Sequence, residues 1–372
     1  MGKIVSTGLS RLVLSAASMG HLALSGRPHI RILVFGALCA LLAAGTPSAS
    51  YAQRVLGDYD GDGYSDLSVA LVDRTARTTA WLTRVGEQKQ PLFWTWGLPG
   101  DALVSGNFFG NGRYYPGIVF VRSAQTPLEW WVKNPSGTDT FFHYGLPGDH
   151  IPNQADMDCD GVTDLIVVRN GTPTRFQGFR LWYVALSGSG GIVQESVFGL
   201  TTDRVGVADL DGDGCAEQVA LRGDTYQWFG KKLFGVDVSV VQWGLPGDKP
   251  LLPQDVNGDG APDYVVVRPT GAGQVAFVRY GANSSGSEQI GSDTAVPILG
   301  KFRRAPGSSF AWTERATGWT AMRPTRGADL VFPFTIAANA IIRPDGTVVQ
   351  PDDDARFGGP GGGGGGGGGG AF

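Results

Sequence analysis

The nine residues Asp58–Asp66 read DYDGDGYSD, and the pattern Asp-x-Asp-Gly-Asp-Gly-x-x-Asp returns with variation later in the chain. The later copies are DMDCDGVTD at Asp156–Asp164, DLDGDGCAE at Asp209–Glu217 and DVNGDGAPD at Asp255–Asp263. Positions 1, 3, 5 and 9 carry carboxylate or amide oxygens, and glycine lets the backbone fold tightly around one point. Such a set of hard oxygens suits Ca²⁺, which takes about six to eight oxygen ligands. The four loops therefore predict about four bound calcium ions.

The predicted metal ligands are the side chains at positions 1, 3, 5 and 9 of these loops. They are Asp58, Asp60, Asp62, Asp66, Asp156, Asp158, Asp160, Asp164, Asp209, Asp211, Asp213, Glu217, Asp255, Asn257, Asp259 and Asp263. Two further segments at the same spacing, Asn107–Tyr115 and Lys301–Ser309, have lost the carboxylates. We expect these two segments to hold no metal.

An EF-hand would use a similar loop, but it needs a bidentate glutamate at position 12 and flanking helices. Position 12 is apolar in all four copies, at Val69, Val167, Ala220 and Val266. The loops are followed by short aliphatic runs, such as LSVALV at Leu67–Val72 and YVVVR at Tyr264–Arg268. Runs of this length and composition form strands rather than helices. The pattern predicts calcium loops inside β-hairpins.

Two further markers repeat in step with the loops, whose starts lie 46–53 residues apart. The second marker reads WGLPGD, YGLPGD, FGLTTD and WGLPGD, beginning at Trp96, Tyr144, Phe198 and Trp243. The third is an aromatic residue near the middle of each repeat, at Trp81, Trp130 and Trp131, Trp182, Trp228, Phe277 and Trp319. Repeats of about 40–50 residues with several short strands indicate a propeller or a solenoid of sheets.

Each repeat is predicted to form four strands, and six repeats occupy roughly residues 53–335. A single four-stranded sheet cannot bury both of its faces, so successive sheets must stack. Radial closure achieves this stacking and leaves only short, protected edges. We therefore predict an all-β fold, a β-propeller of about six four-stranded blades within residues 53–350. Residues 336–350 either complete the last blade or begin a seventh.

The motif W-G-L-P-G-D, followed by D-x-D-G-D-G-x-x-D and then V-V-V-R-P, resembles the bacterial FG-GAP/VCBS repeat proteins, relatives of the integrin α-subunit propeller. The resemblance covers about 280 residues. It implies a calcium-stabilised β-propeller that is usually exported, usually non-enzymatic, and serves adhesion or ligand binding. The segments Asn107–Tyr115 and Lys301–Ser309 depart from the family pattern.

The ends of the chain carry no repeat. Residues 1–52 are predicted to be a signal peptide, because basic residues precede the apolar run Ile32–Ala44 and the small-x-small site Ser50-Tyr51-Ala52 follows it. A permanent membrane anchor is the alternative, but a bilayer span takes about 20 apolar residues. The tail, residues 351–372, ends in the glycine run Gly361–Gly370 and is predicted to be disordered. We expect a secreted, periplasmic or cell-surface protein without stable membrane insertion.

Charge and cysteine usage narrow the function classes. Removal of residues 1–52 takes away four basic residues and no acids, which moves the formal charge from −4 to −8. An acidic chain argues against nucleic acid, which requires a basic face. Cys159 and Cys215 remain, and a disulfide would need Cα atoms within about 7 Å. We expect the spacing between loops of adjacent blades to exceed this distance, which favours two thiols over a disulfide.

The sequence favours a binding module, with a protein or carbohydrate ligand, over an enzyme. After residue 52 the only histidines are His143 and His150, and neither an HExxH nor a GxSxG motif occurs. A carboxylate pair for glycoside cleavage remains an alternative, as does a purely structural extracellular spacer. Trp94 and Trp130 stand beside repeated aromatics, so we predict that they lie on the opposite strand face, as candidate surface residues for ligand binding.

Overall fold

The computed structural model describes residues 57–349, except 74–76, 85–91, 135–137, 236, 238–239, 303–306, 315–318, 323–329, 333–340 and 343–346. The predicted signal peptide (1–52) and the predicted disordered tail (351–372) lie outside this part. Every regular element among the described residues is a β-strand, which confirms the all-β prediction. No helix long and apolar enough to cross a membrane occurs in the described part of the chain.

The described strands form six sheets, which we number as blades 1 to 6 in chain order. Blade 1 contains β1 (Leu67–Asp73), β2 (Thr78–Arg84) and β3 (Leu92–Thr95). Blade 2 contains β4 (Ala102–Gly106), β5 (Tyr115–Phe120), β6 (Glu129–Val132) and β7 (Thr140–His143). Blade 3 contains β8 (Leu165–Thr172), β9 (Arg175–Ala185) and β10 (Val193–Leu200).

The second half of the chain continues the series. Blade 4 contains β11 (Arg204–Ala208), β12 (Glu217–Arg222), β13 (Gln227–Lys231) and β14 (Val241–Gln242). Blade 5 contains β15 (Lys249–Gln254), β16 (Asp263–Pro269), β17 (Gln274–Tyr280) and β18 (Ser284–Ile290). Blade 6 contains β19 (Val296–Gly300), β20 (Ser309–Glu314), β21 (Trp319–Met322) and β22 (Leu330–Phe332). Two short C-terminal strands, β23 (Ile341–Ile342) and β24 (Thr347–Val349), follow.

The strands bury their apolar residues between neighbouring blades. β16 is buried over its first five residues, as expected for a strand that is covered on both faces. Ile166 and Trp182 of blade 3 pack in one core cluster with Val205 and Val207 of blade 4. Burying one such large side chain contributes about 1.5–3 kcal/mol. The core is therefore a series of interfaces between sheets.

A ring of main-chain hydrogen bonds joins the loops of neighbouring blades. The carbonyl at position 1 of a loop accepts from the N–H at position 8 of the next loop, at 2.6–3.0 Å: Tyr114 to Asp58, Thr163 to Asn107, Ala216 to Asp156 and Ser308 to Asp255. Between blades 4 and 5 this bond cannot form, because position 8 is Pro262, which has no N–H. The N–H of Ser65 donates to the carbonyl of Lys301 at 2.8 Å, which joins blade 6 to blade 1. The loops close a ring, and the sheets around it are the blades of a β-propeller.

The C-terminal strands extend blade 1. β24 runs parallel to β1, with Ser68 opposite Thr347 and Val69 opposite Val348, and β23 pairs with β24. The prediction that residues 336–350 complete the last blade or begin a seventh is therefore wrong. β24 covers the edge of β1 that β2 leaves open, and covered edges do not pair with other chains.

Blade 3 departs from the four-strand pattern. Residues 150–155 take the place of its first strand, but Pro152 cannot donate to a ladder. The side chain of Gln154 substitutes for the main chain: its Oε1 accepts from the Ile166 N–H at 2.7 Å, and its Nε2 donates to the Ile166 carbonyl at 3.2 Å. His150 adds an isolated bridge to Val168. This segment is thus held by main-chain bonds at His150 and Ala155 and, between them, by the side-chain amide of Gln154.

The second and third sequence markers meet in the structure. The indole N–H of Trp81 donates to the carbonyl of Trp96 at 3.1 Å. The same bond, at 2.7–2.9 Å, joins Trp130 to Tyr144, Trp182 to Phe198 and Trp228 to Trp243. In blade 5 the equivalent position, opposite Val267, is Ala276 and not Phe277. The sequence marker in blade 5 is therefore one residue away from the structural position.

Phe277 belongs to a second repeated arrangement, built around the aspartate of the Gly-Leu-x-x-Asp turn. Asp248 is buried; its Oδ2 accepts from the Leu245 N–H at 2.9 Å, and Arg268 donates to both carboxylate oxygens at 2.6 and 2.8 Å. The guanidinium of Arg268 lies over the Phe277 ring at 4.7 Å. Two other blades repeat the arrangement, with Arg169, Asp149 and Tyr183 in blade 3 and Arg222, Asp203 and Phe229 in blade 4. The turns that connect the blades are thus tied to the following sheet.

Candidate functional site

Each acidic loop is built around the aspartate at position 1. Asp58 Oδ1 accepts from the Gly61 N–H at 2.6 Å, and its Oδ2 accepts from the Gly63 N–H at 2.8 Å. Both glycines have positive φ, 77° and 85°, which glycine adopts without the steric cost of a Cβ. The same pair of bonds occurs at Asp156, Asp209 and Asp255. The protein's own hydrogen bonds therefore shape the loops.

The acid at position 9 is buried in all four loops. One oxygen of each accepts from the N–H at position 2, at 2.6–2.8 Å; these acids are Asp66, Asp164, Glu217 and Asp263. Burial disfavours the charged form, which raises the pKa of Asp66 and of Glu217 to about 8 and the pKa of Asp164 to about 6. Neighbouring loop carboxylates raise these pKa values further, because like charges repel. A bound cation would oppose both effects.

Three loops bring carboxylates close enough to share one cation. In each, one oxygen from each of three acids lies within 4.8 Å of the others: Asp58, Asp60 and Asp62 in blade 1; Asp156, Asp158 and Asp164 in blade 3; Asp209, Asp211 and Glu217 in blade 4. Three other predicted ligands, Asp66, Asp160 and Asp213, stand in the same loops but outside these groups. The remaining four, Asp255, Asn257, Asp259 and Asp263, belong to the blade-5 loop, which forms no such group among the described residues. Three carboxylates around one point fit a hard divalent cation such as Ca²⁺.

In the blade-5 loop, the acid at position 9 has one buried oxygen without a hydrogen bond among the described residues. Asp263 is 0% exposed; its Oδ2 accepts from the N–H groups of Val256 and Asn257 at 2.8 and 3.1 Å. Its Oδ1 is also buried and has no hydrogen-bond partner among the described residues. Leaving such an oxygen unsatisfied costs about 1–3 kcal/mol or more. A metal ion held by this loop would satisfy it.

The blade-2 loop has replaced its carboxylates with neutral groups that bond one another. Asn107 Nδ2 donates to the Gly161 carbonyl at 2.7 Å, and its Oδ1 accepts from the Asn111 N–H at 3.1 Å. Asn111 Nδ2 donates to the hydroxyl of Tyr115, at position 9, at 2.7 Å. These contacts close the loop without a cation. Residues 303–306, in the loop of blade 6, lie outside the described part.

A disulfide joins the loops of blades 3 and 4. Cys159 and Cys215 are bonded, with their Cα atoms 5.2 Å apart, so the expectation of two thiols is wrong. Spacing between blades is smallest near the axis, and here the Ala216 N–H donates to the Asp156 carbonyl at 2.9 Å. The loops lie on this inner ring, within reach of a disulfide.

A lysine also lies in the blade-4 loop. Lys232 Nζ is 2.5 Å from Asp211 Oδ2, 2.7 Å from Asp213 Oδ2 and 3.9 Å from Glu217 Oε1. The two aspartates raise the pKa of Lys232 above its ordinary value. Sequence reasoning missed this residue, because it follows β13 and stands 15 positions from Glu217, the nearest loop acid.

The loops surround a cavity of about 390 Å³. All six blades contribute to its lining, including Asp58, Asn107, Asp156, Asp209, Gln254 and Lys301. Its wall is therefore the inner ring of loops, where the position-1 carbonyls, except that of Asp209, are bonded to the next blade.

The two tryptophans predicted to face solvent are placed differently. Trp130 is 0% exposed and carries the indole bond of the blade core, so its prediction as a surface residue is wrong. Trp94 is half-buried; it pairs directly with buried Trp81 in the sheet, so it shares that face, and it packs against Tyr59. Of the adjacent pair Trp130 and Trp131, sequence reasoning assigned the wrong one to the surface. Because side-chain direction alternates along a strand, an error of one position exchanges the two faces.

An aromatic patch on the outer strands of blade 2 is partly exposed instead; we call Trp131, Phe141 and His143 the blade-2 patch. Trp131 is half-buried at its base, where it packs against a core cluster that contains Ile118. Trp131 and Phe141 stack with centroids 5.1 Å apart, and Phe141 is 53% exposed. His143 lies edge-on to Phe141 at 5.7 Å. Glu129 accepts from the Trp131 indole at 3.3 Å and from Arg122 at 2.5 and 3.0 Å. The patch thus joins an apolar ring surface to a charged pair.

Glu129 is ionised in this arrangement. Its bond to Arg122 lowers the pKa of Glu129 to about 2. A carboxylate with so low a pKa is a poor proton donor near neutral pH. It serves to orient Trp131 and Arg122.

No family model matches the chain, and no curated protein matches it. Two solved structures to which the chain is similar are the following. An Agrocybe aegerita lectin that specifically recognises non-reducing terminal N-acetylglucosamine is 13% identical with a TM-score of 0.46, covering 73% of this chain and 91% of that one. A neuraminidase-like protein from A/bat/Guatemala/164/2009 is 11% identical with a TM-score of 0.35, covering 72% of this chain and 86% of that one.

Proposed function

We propose that the protein is an exported, calcium-binding β-propeller that acts as an adhesion or ligand-binding module, for a protein or a glycan, without catalysis. The observation that carries the calcium part is the buried Oδ1 of Asp263, which has no hydrogen-bond partner in the described part of the chain and lies in a loop of hard oxygen ligands. The observation that carries the ligand part is the partly exposed blade-2 patch.

Calcium would be held by the acids at positions 1, 3, 5 and 9 of the loops. Carboxylates within 4.8 Å of one another repel when ionised, and a divalent cation removes that repulsion. Since the metal would bind only the folded loop, it stabilises the fold by about 2.7 kcal/mol per site at a hundredfold excess over Kd. Its role is structural: it fixes the loops from which the blade hairpins begin.

Calorimetric titration of the purified protein with Ca²⁺ tests this part. Asp60→Ala removes one member of the blade-1 group and should abolish one site. Asn107→Ala changes the equivalent loop of blade 2 and should leave the number of bound calcium ions unchanged. Equal loss in both variants, or no uptake by the unchanged protein, would contradict a calcium role for these loops.

The blade-2 patch is the proposed ligand surface. Exposed aromatic rings offer flat apolar area for sugar rings, and aromatic residues are enriched in protein interfaces. Arg122 and Glu129 place hydrogen-bonding groups beside the rings. The ligand therefore needs an apolar face with polar groups at its rim, as a glycan or a peptide has.

A glycan array and a pull-down with calcium present test the ligand part. Phe141→Ala should abolish binding, whereas Phe234→Ala, which removes another exposed phenylalanine in blade 4, should not. Binding that survives Phe141→Ala would place the ligand elsewhere. Failure to bind any glycan or protein would favour the alternative of a structural spacer. Hydrolysis of a polysaccharide that is lost when one carboxylate outside the loops is changed would favour an enzyme.

The proposal of export rests on the sequence of residues 1–52. Amino-terminal sequencing of exported material should begin near Gln53. Protein that retains upstream residues and stays in the membrane fraction would contradict cleavage.

A further inference from the structure

A lysine side chain enters the blade-4 loop. The ammonium of Lys232 lies 2.5 Å from Asp211 and 2.7 Å from Asp213, and its side chain is only 22% exposed. Both contacts join opposite charges at hydrogen-bonding distance, which makes them roughly twice as strong as neutral ones. The ammonium of Lys232 would therefore compete with a metal ion for the position between these acids.

The blade-5 loop supplies the matched contrast. Asp263 and Glu217 occupy position 9 of their loops and bond the position-2 N–H in the same way. The second oxygen of Asp263 is buried without a partner, whereas the second oxygen of Glu217 lies 3.9 Å from Lys232 Nζ. Among the described residues, no lysine or arginine forms an ion pair with an acid of the blade-5 loop. Among the described residues, the blade-5 acids have no cationic partner, whereas the blade-4 acids have Lys232.

The corresponding segment of blade 3 is neutral. There the turn after β9 supplies Ser187, whose N–H donates to Asp164 at 2.9 Å and whose hydroxyl donates to Asp160 at 3.0 Å. A hydroxyl can remain beside a bound cation, because its oxygen is itself a hard ligand. An ammonium has three donors and no acceptor, so it must leave before a metal ion can bind.

We propose that Lys232 is a built-in counter-ion of the blade-4 loop, which therefore folds without calcium and binds calcium more weakly than the loops of blades 3 and 5. This inference rests on the proposed function, since it assumes that the other loops bind calcium. Because the Lys232 ammonium is attached to the chain, it occupies the loop without loss of translational freedom. Ca²⁺ must break the ion pairs of Lys232 with Asp211 and Asp213 before it can bind there. Because of Lys232, the blade-4 loop does not depend on the metal to fold.

Calcium titrations of the full chain with and without Lys232 test the inference. The unchanged protein should show one site that is weaker than those of blades 3 and 5. Lys232→Gln should tighten the weaker site by at least about tenfold, because the competitor is gone. Lys231→Gln, a change in the adjacent lysine, is the matched control and should leave all affinities unchanged.

Melting in EDTA gives a readout that does not require bound calcium. Lys232→Gln should melt at a lower temperature than the unchanged protein, because its loop acids lose their only counter-ion among the described residues. Lys231→Gln should not. If Lys232→Gln fails to fold, Lys232→Arg keeps the charge and should fold with the weaker site still weak.

The outcomes separate this inference from the proposed function. Calcium uptake by the unchanged protein with no change in the weaker site of Lys232→Gln, or with four equal sites from the start, would overturn the inference alone. No calcium uptake by either protein would overturn the calcium part of the proposed function as well.

Discussion

Trp130 and Trp131 are neighbours in the chain, yet one lies in the blade core and the other supports the exposed ring of Phe141. Successive side chains of a strand point to opposite faces, so one position separates a structural role from a binding role. The indole bond from Trp130 to the Tyr144 carbonyl shows which of the two belongs to the repeat.

Substitution of each tryptophan by alanine should separate these roles. Trp130→Ala should lower the free energy of unfolding by about 3–5 kcal/mol, because it empties a fully buried volume. Trp131→Ala should cost clearly less stability while it abolishes ligand binding. Urea unfolding of both variants measures the difference, and equal losses would show that the blade-2 patch is part of the core.

The position-9 acids predict a pH dependence for the metal-free protein. The pKa values of Asp66 and Glu217 are raised to about 8 in the fold from ordinary values of 3.8 and 4.5. The folded state therefore binds these protons more tightly than the unfolded state, and this stabilisation, full below about pH 4, is lost as the pH rises through about 8.

Melting temperatures in EDTA should thus fall between pH 5 and pH 8, and added calcium should remove much of the fall. The double variant Asp66→Asn and Glu217→Gln should show a flatter profile, because both groups stay neutral. A metal-free protein whose double variant follows the same pH profile as the unchanged protein would refute this account of the two acids.

At the scale of the elements, the loop–hairpin units are linked side by side on an inner ring. The bond from Ala216 to the Asp156 carbonyl brings the loops of blades 3 and 4 together, and the disulfide between Cys159 and Cys215 closes 56 positions of chain. Where Pro262 removes the ring bond between blades 4 and 5, side-chain packing around Trp228 and Tyr264 holds the blades.

Removal of the disulfide should destabilise the fold. Replacement of Cys159 and Cys215 by serine should lower the free energy of unfolding by about 2–4 kcal/mol, largely because the unfolded chain gains freedom. Urea unfolding with and without reductant measures the effect, and reductant should destabilise the unchanged protein but not the variant. Two reactive thiols in the oxidised native protein would contradict the disulfide.

The repeat spacing predicts the elements well, but not how they meet. Six sheets follow from the regular return of the Asp loops, since each loop begins a hairpin. The pairing of Cys159 with Cys215 depends on distance from the axis, which spacing along the chain does not contain. The role of Lys232 depends on a turn that folds back over the loop, and in sequence it is indistinguishable from Lys231.

At the scale of the whole molecule, the chain is a closed ring whose last described strands return to its first blade. The bond from Ser65 to Lys301 and the pairing of β24 with β1 join the two ends of the ring. Loops from all six blades line the central cavity, so a change in one loop bears on its neighbours. Calcium at these loops would therefore stabilise the ring as well as single hairpins.

The melting temperature of the purified protein, with calcium and then with EDTA, tests this central claim most directly. Each site contributes about 2.7 kcal/mol at a hundredfold excess of calcium over Kd, so EDTA should lower the melting temperature by many degrees and restored calcium should reverse the loss. The same melting curve in calcium and in EDTA would contradict the account, and would mean that the loops are held by their hydrogen bonds alone.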